Sequence, residues 1–199
     1  TGQVFDQFAL TNSTIAAIPI AHQNNGVRLD GSSGWPVLPA AVVNGLYSLA
    51  VGDGGSVKGD ASAALGGGAK VNGDFSTALG AFSKSTDGST AVGGSARALG
   101  LLSIAIGRGS EASRDQGLAL GSGSWAQAEQ SAALGYFANV EPGATGAVAL
   151  GANSVALVAN TVSVGDVGTE RRIMNVGKGL LATDAVTVGQ MTDAIAAVS

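Results

Sequence analysis

Ser62-Ala63-Ala64-Leu65-Gly66, Ser76-Thr77-Ala78-Leu79-Gly80, Ser89-Thr90-Ala91-Val92-Gly93 and Ser103-Ile104-Ala105-Ile106-Gly107 are copies of one short pattern. It continues through Gly117-Leu118-Ala119-Leu120-Gly121 and Ser131-Ala132-Ala133-Leu134-Gly135, with weaker copies ending on Gly52, Gly151 and Gly165. From Gly52 to Gly165 the closing glycines follow one another at steps of 14, 14, 13, 14, 14, 14, 16 and 14 residues. A fixed short period over more than half of a chain is the signature of a solenoid, in which each repeat leans on its neighbours for a core.

Side-chain parity then gives the coil a cross-section. Strand side chains alternate between two faces. Two residues before each closing glycine stands alanine (Ala64, Ala78, Ala91, Ala105, Ala119, Ala133), and two before that is usually serine. That face is uniformly small. The residue just before the glycine is always large and apolar: Leu65, Leu79, Val92, Ile106, Leu120, Leu134 and Leu150. The second half of each repeat reads as another strand. Its inner positions are small (Ala69 and Val71, Ser83 and Ser85, Ala96 and Ala98), and the residue between them is mostly polar: Lys70, Lys84, Arg97, Glu111, Trp125, Asn139. The reading is an all-β solenoid of coils of about 14 residues, two short strands per coil, stacked about 4.8 Å apart. One outer face is wet and the other is a stripe of Leu, Val and Ile. A lone tube would expose more apolar surface along that stripe than soluble monomers tolerate, so the spacing itself predicts a closed homo-oligomer of parallel tubes.

Composition agrees. Glycine is 32 of 199 residues but proline only 4, which excludes collagen. A net charge of −4 offers no general basic field to nucleic acid. The absence of cysteine removes disulfides and thiolate metal sites. No apolar run approaches the roughly 18 residues of a membrane helix. The chain begins on Thr1 without a leader and reads as a piece of a longer protein.

Residues 1–46 do not follow the repeat and read as strands and loops. Val27-Arg28-Leu29 alternates like a short strand between the turn signals Asn24-Asn25-Gly26 and Asp30-Gly31. His22, the only histidine, reads as a packing or surface residue. At the other end, Glu170-Arg171-Arg172 is the densest charge cluster, and Val188, Met191, Ile195 and Val198 follow the a/d spacing of a coiled coil.

The Ser-x-Ala-[Leu/Ile/Val]-Gly unit at 14-residue spacing resembles the YadA-like head of trimeric autotransporter adhesins. Val162-Ser163-Val164-Gly165, Glu170-Arg171-Arg172-Ile173 and Thr183-Asp184-Ala185-Val186 with Val188 and Gln190 are similar to that family's neck. Lys178, Leu180 and Leu181 stand where the neck usually has small or polar residues. The resemblance implies a left-handed parallel β-roll, three chains, and a neck leading into a coiled-coil stalk. It gives a head at 47–165, a neck at 166–190 and the start of the stalk at 191–199, and does not extend to the non-repeat segment at 1–46. It also implies display on the bacterial surface, anchored in the outer membrane by a C-terminal region beyond this sequence, and attachment to host extracellular matrix or cells. Arg171 or Arg172 would pair with Asp184 between chains, and Gln190 belongs to the same neck.

Enzymatic readings find little purchase. Gly66-Gly67-Gly68 and Gly52-Asp53-Gly54-Gly55 lack the lysine and helix of a phosphate loop. Asp53, Asp60, Asp74, Asp87 and Asp115 lack the Gly-Gly-x-Gly-x-Asp repeat of calcium solenoids. No metal or cofactor is expected. The alternative, a hexapeptide-type β-helix acyltransferase, requires a period of multiples of six. The expected ligand surface is the outward column Lys70, Lys84 and Arg97, a basic ladder, with Trp125 in the same slot two coils on.

Overall fold

Small side chains on one face of each predicted strand let the backbone close on itself in a narrow tube. A computed structural model, which describes residues 41–198 and the backbone of 27–29, has that form: a parallel β-solenoid with a helix, Val188–Ala196, near its C-terminal end. The short period generates two parallel sheets. One, of ten strands, is built mainly from three-residue strands such as Ala63–Leu65, Thr77–Leu79 and Ile104–Ile106. The other, of nine, contains two-residue strands such as Lys70–Val71, Lys84–Ser85 and Trp125–Ala126. Equivalent residues of successive repeats pair throughout, as Ala64 with Ala78 and Ala105 with Ala119 do. The irregular steps leave this register intact. The 13-residue step pairs Ala78 with Ala91 and the 16-residue step pairs Ala133 with Ala149, because both changes fall in turns from a short strand to the next long one.

The tube begins before the sequence repeat does. Val27–Leu29, expected as a strand, pairs in parallel with Leu49–Val51, and Val42–Val43 pairs with Ser56–Val57. The rest of 1–40, His22 included, lies outside the described residues.

The core is two ladders of small groups. Ala64, Ala78, Ala91, Ala105, Ala119 and Ala133 are fully buried, and so are Val57, Val71, Ala98 and Ala112 from the facing strands. Buried serines are paired along the axis: Ser62 Oγ donates to Gly73 O at 3.0 Å and accepts the N–H of Ser76 at 3.0 Å. Ser85 breaks this rule. It is fully buried between Val71 and Ala98 with its Oγ unpaired. An unmet buried hydroxyl costs about 1–3 kcal/mol, so Ser85→Ala should raise stability by about 1 kcal/mol in chemical denaturation. A loss of stability would show that the hydroxyl has a partner after all.

The closing glycines explain why the repeat tolerates nothing else there. Gly66, Gly80, Gly93, Gly107, Gly121 and Gly135 have φ between +127° and +142°, a region that side chains with a β-carbon avoid. They also stack: a β-carbon on Gly107 would lie 2.4 Å from the carbonyl oxygen of Gly121. The turns on the other edge are finished by aspartates. Asp60 Oδ1 accepts the N–H of Leu46 at 2.8 Å, Asp74 Oδ1 that of Asp60 at 2.8 Å, Asp87 Oδ1 that of Asp74 at 3.0 Å, and Asp115 Oδ1 that of Leu101 at 2.9 Å. Each of these carboxylates thus caps the coil before it, which accounts for the recurrence of Asp60, Asp74, Asp87 and Asp115.

The chain divides into two compact units, Thr1–Asp166 and Val167–Ser199. In the second unit no described side chain is buried. Its order comes from polar closures. Asp184 Oδ2 accepts the N–H groups of Leu180 at 2.9 Å and Leu181 at 3.0 Å. The Gln190 amide clasps Gly179 from both sides, 2.9 Å to its N–H and 2.9 Å to its oxygen. Thr187 and Gln190 form a capping box on the helix. The helix begins at Val188, inside the stretch read as neck, because Thr187 is the capping residue.

Candidate binding surfaces

The long-strand sheet presents its outward face through the residue before each closing glycine. Leu79, Ile106, Leu120 and Leu150 are 37–46% exposed, and Leu65, Val92 and Leu134 are half-buried. Cross-strand pairing puts Leu65 beside Leu79, Val92 beside Ile106 and Leu120 beside Leu134, so the column is continuous. Parity places a second column two residues earlier on the same face: Ala63, Thr77, Thr90, Ile104, Leu118, Ala132 and Val148. Sequence reading missed it because threonine and alanine dilute its apolar character. The stripe is therefore two residues wide: one column is all Leu, Ile and Val, and the other adds Ile104, Leu118 and Val148.

The short-strand sheet faces outward through Lys70, Lys84, Arg97, Glu111, Trp125 and Asn139, in consecutive register. Lys70, Lys84, Arg97 and Trp125 are all exposed. The basic ladder ends at Glu111, whose carboxylate lies 3.6 Å from Arg97 Nε. Both partners are substantially solvated, so this pair is worth well under about 1 kcal/mol. It still places a counter-charge at one end of the ladder and leaves Lys70 and Lys84 as its strongest positive segment.

In the second unit Arg171 and Arg172 are exposed, as are the apolar Leu180, Leu181, Ile173 and Met174. The N–H groups of Leu181 and then Leu180 hold the Asp184 carboxyl below its ordinary value near 3.8, and the Gly168 N–H does the same for Glu170 below 4.5. For Asp184 the sign is that of a depressed carboxylate. Its support of the turn is fully present above pH 3.8 and is lost as pH falls through the lower folded-state value. Protection of the Leu180 and Leu181 amides, measured against their intrinsic exchange rates, should accordingly fall as pH drops below 3.8, and in Asp184→Ala it should be lost at neutral pH as well. Unchanged exchange in that variant would dismiss the carboxylate as the cap. Val188, Met191 and Ile195 lie on the helix and Val198 beyond its end, all exposed.

Among the described residues no group of three or more His, Cys, Asp or Glu side chains comes together in a way that could hold a metal. None of the described helices is long and apolar enough to cross a membrane.

These coils match a family model described as the YadA head domain repeat at residues 58–83, 87–110, 98–124, 112–138 and 143–166. A second model, the coiled stalk of trimeric autotransporter adhesin, matches residues 172–199. The chain belongs to the YadA-like trimeric autotransporter adhesins. Among solved structures this adhesin head is similar to the collagen-binding domain of Yersinia adhesin YadA, with 26% identity, a TM-score of 0.66, and coverage of 86% of this chain and 98% of that one. No curated protein matches the chain. The 14-residue pairing of the adhesin's coils leaves the hexapeptide-type alternative without support.

Proposed function

We propose that this adhesin head works as a homotrimer whose apolar stripe, with Leu65, Leu79, Val92, Ile106, Leu120, Leu134 and Leu150, faces the shared axis, and that it attaches the bacterium to host extracellular matrix or cells. The observation that carries the trimer is the combination of that continuous exposed stripe with a C-terminal unit that buries nothing of its own. A single chain of that second unit loses conformational entropy on ordering with no core to offset it, whereas a bundle of copies would bury Val188, Met191 and Ile195. In such a bundle Arg171 or Arg172 of one chain meets Asp184 of the next. The role is binding rather than catalysis, and the chain needs no cofactor. The rest of the protein would supply an outer-membrane anchor.

The matrix reading takes its ligand class from the YadA domain, which is described as collagen-binding. On this chain the basic ladder is the ligand surface we favour, with avidity from three copies multiplying weak contacts. A Lys70→Glu, Lys84→Glu, Arg97→Glu variant that keeps the parent's mass should lose about tenfold or more in binding to immobilised collagen at low salt, a loss that shrinks as salt screens both proteins. Parental binding by that variant would make the ladder ordinary solvated surface.

A further inference from the structure

Each turn from a long strand to the following short strand holds a positive-φ residue two places after the closing glycine. Along the axis this column includes Phe82, Ser95, Gly109, Gly123 and Phe137. Between the two phenylalanines the side chains shrink to a hydroxymethyl and two hydrogens, which opens a trough across three coils. Its end wall is the ring of Phe137, which leans over Gly123: a β-carbon there would lie 2.6 Å from the ring. A β-carbon on Gly109 would meet nothing within 4 Å, so the floor is open. Trp125, 45% exposed, forms a side wall, and Arg108 and Ser122 complete a groove of about 310 Å³.

Two features set this groove apart from ordinary surface. Phe137 keeps φ at +51° and leaves 48% of its surface in water, with Tyr136 edge-on to it at 4.4 Å. A positive φ is common to this turn position along the tube, Phe82 included at +58°, so it is the exposed ring itself, beside Trp125 and Arg108, that marks the site. Arg108 is exposed and has no ion-pair partner among the described residues. The backbone is already committed: the N–H groups of Gly109, Gly123 and Phe137 donate to Gly94, Arg108 and Ser122 oxygens of the coil before. An extended peptide would need free backbone groups to pair with. What remains is two aromatic walls, a guanidinium, the exposed hydroxyl of Ser95 and that of Ser122, which donates to Arg108 O at 3.2 Å and is left as an acceptor.

We propose that this trough is a binding subsite for a carboxylate-bearing pyranose sugar. The C–H face of the ring packs against the Trp125 indole and Phe137, whose π faces carry partial negative charge. The carboxylate takes the forked donors of Arg108, and sugar hydroxyls pair with Ser95 and Ser122. The missing β-carbon at Gly109, over which nothing lies, lets the ring approach the main chain. This goes beyond the matrix reading and does not need Lys70, Lys84 or Arg97, so failure of collagen binding leaves it standing.

The test is a fluorescence titration of the full chain in a Trp35→Phe background, which leaves Trp125 as its one tryptophan. The probes are 3′-sialyllactose and, as the neutral counterpart, lactose. A saturable change is expected with the acidic sugar, with affinity for lactose about tenfold weaker or worse, since a charge-assisted pair is lost. Arg108→Ala should erase that preference. Gly109→Phe should abolish binding by filling the trough, in a turn where Phe82 and Phe137 already hold φ of +58° and +51°. Should that variant fold poorly by circular dichroism, Gly109→Asn serves, as Asn153 and Asn160 sit at +56° and +58°. No saturable response through the millimolar range, equal affinity for both sugars, or full binding by the folded trough-filling variant would each overturn the proposal.

Discussion

Gly107→Ala should destabilise the head by about 3–5 kcal/mol, far more than a methyl group usually costs. Two separate penalties meet at this residue. Its φ of +133° lies where L-residues are strained. The added β-carbon would also stand 2.4 Å from the oxygen and 2.5 Å from the carbon of the Gly121 carbonyl, and backbone atoms cannot swing aside as a side chain could. Relief requires the two coils to part, which breaks ladder bonds such as that from Gly121 N–H to Ile106 O at 2.8 Å. In a solenoid each coil touches only its neighbours, so a parted pair cuts the tube in two. The matched control is Gly109→Ala. There φ is +66° and nothing lies within 4 Å of the new carbon, so the cost is the intrinsic one of about 1–2 kcal/mol. Denaturation midpoints at equal protein concentration separate the two. Equal losses would mean that coil stacking does not demand glycine.

Ile106→Asp should take the assembly apart. In one chain the side chain is 37% exposed and borders Val92 and Leu120, so an aspartate there leaves the coil itself intact. In a trimer with this column at the axis, three carboxylates would share a dry interface. Burial without a partner costs several kcal/mol per charge, while each stripe residue contributes only about 1 kcal/mol of burial. The variant should therefore sediment as single chains or aggregate, while Asn72→Asp, on an exposed turn, keeps the parent's assembly. A variant that assembles like the parent would place Ile106 away from the interface.

The tube itself was legible in the sequence because its cause is periodic. A coil that must stack on itself fixes glycine at the closing position, alanine inside and polar groups outside, and repeats that choice often enough to be seen. What escaped was aperiodic or depended on the neighbouring coil. Ile104 and Leu118 face outward beside Ile106 and Leu120, but the same column holds Thr77 and Ala132, so its character averages out. Asp60, Asp74 and Asp87 recur nearly in register, and that signal would have identified them as turn caps had the orphan N–H groups of the preceding coil been counted. The groove at Arg108 and Trp125 depends on Phe137 adopting a positive φ, a geometry ordinarily assigned to Gly or Asn. Glu111 was visible in the outward column, yet it is the pairing of neighbouring coils that brings it within ion-pair distance of Arg97. The early strands Val27–Leu29 and Val42–Val43 join the sheets without the serine, alanine and glycine marks of the repeat, so its period did not extend to them.

The most direct test of the account is the mass of the unmodified chain in solution by light scattering coupled to size exclusion. The account predicts a single species of about 58 kDa, three copies of a 19.2 kDa chain, unchanged on dilution through the micromolar range. A stable, well-behaved species at the mass of one chain would contradict it, because the apolar stripe would then be facing water.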